Sequence, residues 1–507
     1  MSDAIVIGSG IGGLACAAAL AKCGRKVLVL EQHFLAGGLT QTFTREGYTW
    51  DVGLHYLGDL GPQGKALLDW LSDGGIEIAP TDAAFDTVHF PEGFEFSYVS
   101  PPAAARDALK KRFPGSAGEI DAFFTALEHA GRAAMAMFQA RALPRPIAAL
   151  VRWWKRDAFK RWVARTTEEV LREIVSDPRL RAVLSAQWPD HGGSPKRGSF
   201  AMHAAVMRHF LAGSGYPVGG AAVFAKALVP VIERAGGKVV LKARVERLLL
   251  ERGRVAGVLL ADGTEHRAAA VVSAAGARNT VEQLLPTEQR AAPWARDILS
   301  MELTPCHVGL YLGLAGDLRA AGATTANHWI YGSWDTNAAT WRDPGRSDPP
   351  GMFVSFPSLK DPSHVPGPEQ RHTAEVVAWV DWETFAPWQE SSPGHRPPDY
   401  ERYKAMLGER LLDYFKRCFP RLAPLVRLCE VSTPLTMVHY TRTPLGAVYS
   451  LAPTPARFLS KSLGTRTPLK GLYLAGQDAM SPGVTGAMMG GVMAAGALAP
   501  QVFRRLG

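Results

Sequence analysis

Apolar positions fall in short unbroken runs near the start of the chain, then at helical spacing, then in alternation further along. Ala4–Ile7 (AIVI) is a wholly apolar run of strand length, which predicts a strand covered on both faces, as in a parallel sheet. Residues 14–23 (LACAAALAKC) predict a helix ending at Gly24, and 26–30 (KVLVL) a second buried strand. Residues 216–236 give a Gly-Gly turn and then an amphipathic helix. Residues 238–250 and 254–260 alternate as strands, Asp262-Gly263 marks a hairpin turn, and 270–276 (AVVSAAG) form a strand with a small-residue exit. A last strand, 471–476 (GLYLAG), leads into a glycine-rich helix. Residues 479–503 carry no formal charge and are long enough to cross a bilayer. Pro482, five glycines and an excess of Ala over Leu argue instead for a helix packed closely on a sheet or cofactor. Strands alternating with helices place the fold in the α/β class.

The turn between the first strand and the first helix adds chemistry. Gly8-Ser9-Gly10-Ile11-Gly12-Gly13 satisfies GxGxxG, and Glu31 closes the second strand 23 residues after Gly8. Gly8 permits the tight turn, Gly10 lets the backbone approach a pyrophosphate, and Gly13 lets the helix sit close to the strand. The helix N-terminus attracts the phosphate charge. Glu31 can accept ribose hydroxyls and would repel a 2′-phosphate, which argues against NADP. Gly37-Gly38, six residues past Glu31, supplies a second glycine turn that suits an extended FAD and decides for FAD over NAD. At the far end, the order strand, Gly476, Gln477, Asp478, helix offers Asp478 to a ribityl or ribose hydroxyl. A plain N-cap is the alternative role for Asp478.

Composition sharpens the picture in one place. With 507 residues, 47% hydrophobic and 20% charged, the chain is a folded globule of about three domain-sized units at ~150 residues each. Its net charge is +9, and residues 131–165 hold nine Lys or Arg against one acid, Asp157, for a local +8. Trp153, Trp154, Phe159 and Trp162 interleave with those cations. That is the composition of a helix lying in an anionic membrane interface, which is the expectation for this segment. A solvated surface helix, a nucleic-acid site and a partner-protein site share the composition; nucleic acid is not expected as a partner. The five cysteines include no CxxC pair, which argues against a disulfide scaffold, a zinc knuckle and a dithiol centre. The opening MSDAIVIG enters a strand with no basic leader, so the expected location is cytoplasmic with peripheral membrane association. No second strand–GxGxxG–helix unit is evident, so an external electron donor or acceptor is expected.

Four further stretches carry a family resemblance: Asp51–Gly58 (DVGLHYLG), Ser199–Gly220 with SFAMHAAVMRHF and GYPVGG, Thr433–Tyr449 (TPLTMVHYTRTPLGAVY) and Leu472–Gly486 (LYLAGQDAMSPGVTG). Over its whole length the chain resembles the phytoene desaturase/carotenoid isomerase superfamily of FAD oxidoreductases, and within it the retinol saturase branch. Residues 315–400 match none of that family's motifs. The resemblance implies a discontinuous Rossmann-type FAD-binding domain over 1–75, 215–290 and 440–507. It implies an inserted α+β, sheet-plus-helix substrate domain over 76–214 and 291–439, with 131–165 as a helical membrane-facing segment. FAD is expected against Gly8, Gly10, Ile11, Gly12, Gly13, Glu31, Gln32, Gly37, Gly38, Leu39, Thr40, Val245, Gly476, Asp478, Gly483 and Val484. The implied reaction saturates a carbon–carbon double bond of an apolar polyene such as a retinoid or carotenoid, with hydride from flavin N5 and a proton to another carbon. His55, Tyr56 and Tyr440 are the catalytic candidates, with His439 beside them, and no metal is expected. A desaturase or cis–trans isomerase on the same fold, a flavin-bearing membrane-associated protein without turnover, and an amine oxidase remain alternatives.

Overall fold

The structure, a computed structural model, describes residues 2–505. Its organising element is a five-stranded, all-parallel sheet in the order Lys238–Val240, Val27–Leu30, Ala4–Ile7, Val271–Ser273, Leu472–Leu474. The two runs that read as doubly covered strands lie side by side, with Ile5 opposite Leu28, and every residue of both is buried. The first helix starts at Ile11, earlier than its apolar spacing suggests, because Gly10 already serves as its N-cap. Residues 238–250 do not form one strand. The chain reverses at Lys242, where φ is +55°, and Val245–Glu251 begins a separate three-stranded antiparallel layer with Arg254–Leu260 and Glu265–Arg267.

The glycine-rich segment at the far end becomes the closing helix, Val484–Leu498, packed on the first helix, Ile11–Lys22. The packing is backbone on backbone. A Cβ on Gly12 would lie 2.6 Å from Gly476 Cα and 2.9 Å from Ala487 O, and one on Gly491 would strike Gly12 O. Among the described residues no helix is long and apolar enough to cross a membrane.

A seven-stranded sheet forms the second body, in the order Val426–Ser432, Cys306–Ala315, Arg371–Val380, Gly351–Ser355, Asn327–Tyr331, Ala84–Phe90, Phe94–Val99. Its pairs are antiparallel except for Asn327–Tyr331 with Ala84–Phe90. The helix Pro398–Cys418 shares an apolar core with strands of this sheet, and the helices Ala117–Ala142 and Phe200–Leu211 contribute to another. Residues 131–165 divide in the structure. Arg141, Phe159 and Val163 are buried, and Trp162 packs inward. The helix Arg145–Trp154 stays on the surface.

Candidate functional site

A cleft of about 910 Å³ opens at the carboxyl ends of the parallel strands, where open α/β sheets bind their ligands. Every residue of the sequence-predicted cofactor set lines it except Gly13. Gly13 lies beneath the turn: a Cβ there would collide with Gly8 O, so its small size lets the first helix close on the first strand. Glu31 also braces the turn. Its Oε2 accepts hydrogen bonds from Ser9 N and Ser9 Oγ, both at 2.7 Å, and its Oε1 accepts one from His33 N at 2.8 Å.

Two observations show that these residues fit a dinucleotide. A Cβ on Gly10 would meet nothing within 4 Å, so the backbone there faces open cleft. Asp478 is no N-cap, since the closing helix starts at Val484. Its Oδ2 accepts from Ala277 N at 2.8 Å and Ser450 Oγ at 3.1 Å, while its Oδ1 is buried without a donor, 3.7 Å from Arg457 Nη2. A buried acceptor lacking a partner on a cleft wall is a place for a ligand hydroxyl.

The three catalytic candidates separate. Tyr440 lines the cleft, 42% exposed, edge-on to His33. His55 and Tyr56 follow Gly53, a cleft residue, but belong to a buried acid–base cluster behind it. His55 Nδ1 is 2.7 Å from Glu375 Oε2, and Asp51 N donates to Glu375 Oε1 at 2.9 Å. Lys360 Nζ donates to His55 O at 2.9 Å, to Ser355 Oγ at 2.7 Å and to Asn327 Oδ1. Tyr56 OH lies 2.8 Å from Asp190 Oδ2 and 3.0 Å from Asp86 Oδ2. Burial works against every charge in the cluster. It pushes the His55 imidazole down to about 3, with the Lys360 charge adding to the effect. It pushes Glu375 up to about 8 and Lys360 down to about 7, each offset in part by the other.

Residues 11–308 match the family model described as flavin containing amine oxidoreductase. The all-trans-retinol 13,14-reductase of Danio rerio is 35% identical over 514 residues, covering 96% of this chain and 84% of the relative. The chain belongs to the flavin-containing amine oxidoreductase family, in its retinol reductase branch. FAD is therefore the cofactor of this protein. A second Danio rerio relative, inactive all-trans-retinol 13,14-reductase, is 31% identical over 97% of this chain and 85% of its own length. The structure of cyclohexylamine oxidase from Brevibacterium oxydans IH-35A has the same fold, with a TM-score of 0.64 at 19% identity over 100% of this chain and 99% of that one.

Sequence reasoning about this flavin oxidoreductase missed Glu375, Lys360, Asp86 and Asp190. A signal existed for two of them. Glu375 interrupts the apolar strand RHTAEVVAWV and Asp86 the strand AFDTVHF, and a charge inside such a run has to find partners.

Proposed function

We propose that this flavin oxidoreductase reduces a carbon–carbon double bond of an apolar polyene of the retinoid or carotenoid class, drawn from an anionic membrane surface. The supporting observation is the near-full-length likeness to all-trans-retinol 13,14-reductase. On this reading residues 1–75, 215–290 and 440–507 carry FAD, with the cleft residues named above as its contacts, and 76–214 with 291–439 hold the substrate. Bound FAD supplies the hydride equivalent. The chain has to supply the proton, the orientation and a site free of water. The reducing equivalents come from an external electron donor.

The surface helix Arg145–Trp154 supports the membrane part. Leu150, Trp153 and Trp154 are 62%, 64% and 73% exposed. Arg145, Arg152, Lys155 and Lys160 have no carboxylate within 4 Å among the described residues, whereas Arg161 and Arg165 pair with Glu173. Exposed aromatics beside unpaired cations match an anionic lipid interface.

The test of the reaction is anaerobic mixing of the chemically reduced holoprotein with all-trans-retinol or a carotene, read by flavin absorbance and by mass. Flavin reoxidation with a gain of two hydrogens supports the proposal. Geometric change at unchanged mass would make the protein an isomerase, and electron uptake by oxidised protein from the saturated lipid a desaturase. In a separate aerobic assay, peroxide release with amines would make it an amine oxidase. No reaction with any of these would leave a flavin carrier without turnover. For the surface, neutralising Arg145, Arg152, Lys155 and Lys160 to Gln should weaken binding to phosphatidylserine vesicles by ~1 kcal/mol per charge, an effect that fades as salt rises. A wild-type protein that ignores such vesicles rules the membrane part out.

A further inference from the structure

Building on the reductase reading, we infer that Asp190 is the acid that gives the substrate its proton, with Tyr56 and Asp86 holding it in the protonated form. The argument begins with a count of protons. Tyr56 has one hydroxyl hydrogen, yet its oxygen sits 2.8 Å from Asp190 Oδ2 and 3.0 Å from Asp86 Oδ2. It can donate to only one of them. With both carboxyls ionised, the other contact would set lone pair against lone pair in a buried site. One carboxyl therefore carries a proton.

The remaining partners say which. Asp86 is fully buried and accepts from two amides besides the phenol: Asn327 Nδ2 at 3.1 Å and Gln187 Nε2. Donors on both oxygens favour its ionised form. Among the described residues Asp190 makes its side-chain hydrogen bond to Tyr56 alone. Asp190 thus donates to the phenol oxygen, and the phenol donates to Asp86. Electrostatics runs the same way. Burial and the Asp86 charge hold Asp190 well above the carboxylate range, opposed by the Tyr56 hydrogen bond and by Lys360. The other titratable groups facing Asp190 are the Tyr449 and Tyr331 phenols, which its charge would push further up.

Position completes the case. Asp190 ends the turn Trp188–Asp190, and the residue as a whole is partly buried. Two residues on, Gly192 packs on Tyr449: a Cβ there would lie 2.8 Å from Tyr449 Cδ2. Tyr449 lines the flavin cleft. The turn that carries Asp190 thus packs on the cleft wall through Gly192. In the reduction, the Asp190 O–H bond breaks and a C–H bond forms at one carbon of the double bond. The O–H electron pair stays on the carboxylate, and FAD, when bound and reduced, would supply the hydride equivalent for the other carbon. Transfer leaves two charged carboxylates around one phenol hydrogen, and reprotonation of Asp190 from water relieves that.

Asp190→Asn keeps the hydrogen bond to Tyr56 and removes the acid. The expected result is a yellow protein with normal flavin content whose single-turnover saturation of retinol falls by about 10²–10⁴-fold. Infrared difference spectra of wild type against the variant, taken at neutral pH without substrate, should show the carbonyl stretch of one protonated carboxyl lost. In Tyr56→Phe, which leaves Asp190 in place, that band should titrate at a different pH. A difference spectrum without that loss, or saturation at the wild-type rate, overturns the inference. An inert wild type removes the reductase reading and the proton-donor role with it. The infrared result needs no substrate, so it separates failure of the reading from failure of the acid assignment.

Discussion

The flavin cleft and the acid–base cluster behind it are two ways of building a site from one chain. The cleft is made of backbone. Its glycines stand at strand ends, and a side-chain contact, Glu31 with Ser9, braces the turn. The cluster is made of side chains from 51–56, 86, 187–190, 327, 355–360 and 375, held by hydrogen bonds across two sheets. A backbone site is intolerant of added bulk and indifferent to most side-chain deletions. A buried polar site is the reverse: it tolerates little deletion, because each lost partner leaves another group unpaired.

Four substitutions set that contrast at risk. The largest effect is expected from Gly10→Val, whose side chain enters the open cleft proposed to hold the cofactor, and which should yield protein without flavin. Colourless purified protein of unchanged circular dichroism would show it; a full flavin content would remove Gly10 from the site. Asp86→Ala comes next. It leaves the buried Asn327 and Gln187 amides without their acceptor, and should cost about 3–5 kcal/mol in urea unfolding. A loss below ~1 kcal/mol would mean that the cluster is wet and the contrast overstated.

Glu375→Gln tests the charge state of the cluster. Glu375 is raised from 4.5 to about 8, so the native state keeps a proton that the unfolded chain has lost in that window. Its contribution is complete below about 4.5 and declines as pH climbs toward about 8. The melting temperature of Glu375→Gln should therefore gain on wild type between those values. Parallel curves would show Glu375 ionised throughout. The smallest effect belongs to Ser9→Ala. It removes one hydroxyl from Glu31 and leaves Ser9 N in place, so flavin affinity should fall by no more than about fivefold, ~1 kcal/mol. A loss of hundredfold would mean that the turn depends on its side chains after all.

The same contrast explains what could be read from the sequence. The cleft was legible because a strand, a glycine turn and a helix are contiguous, and each glycine has a local steric reason. Even the closing segment, Leu472–Leu474 to Val484–Leu498, announced itself by composition. The cluster was not legible, because nothing near His55 in sequence points to Glu375, 320 residues away. The local +8 of residues 131–165 misled in a smaller way. Arg141 is counted there, yet it is buried and donates to Met480 O at 3.1 Å and Arg457 O at 2.7 Å, bracing the loop beyond Asp478. Charge counts do not reveal which cations turn inward.

The locked contact between Gly12 and Gly491 sets an order of events during synthesis. The first strand and helix leave the ribosome early, but the strand Leu472–Leu474 and the helix that covers them follow about 465 residues later. At ~5–20 residues per second that is a wait on the order of 25 to 90 s. Throughout it, the helix Ile11–Lys22, buried over nearly its whole surface in the finished protein, lacks its permanent neighbour. Until the closing helix is made, that apolar surface has to be covered by something other than its native partner.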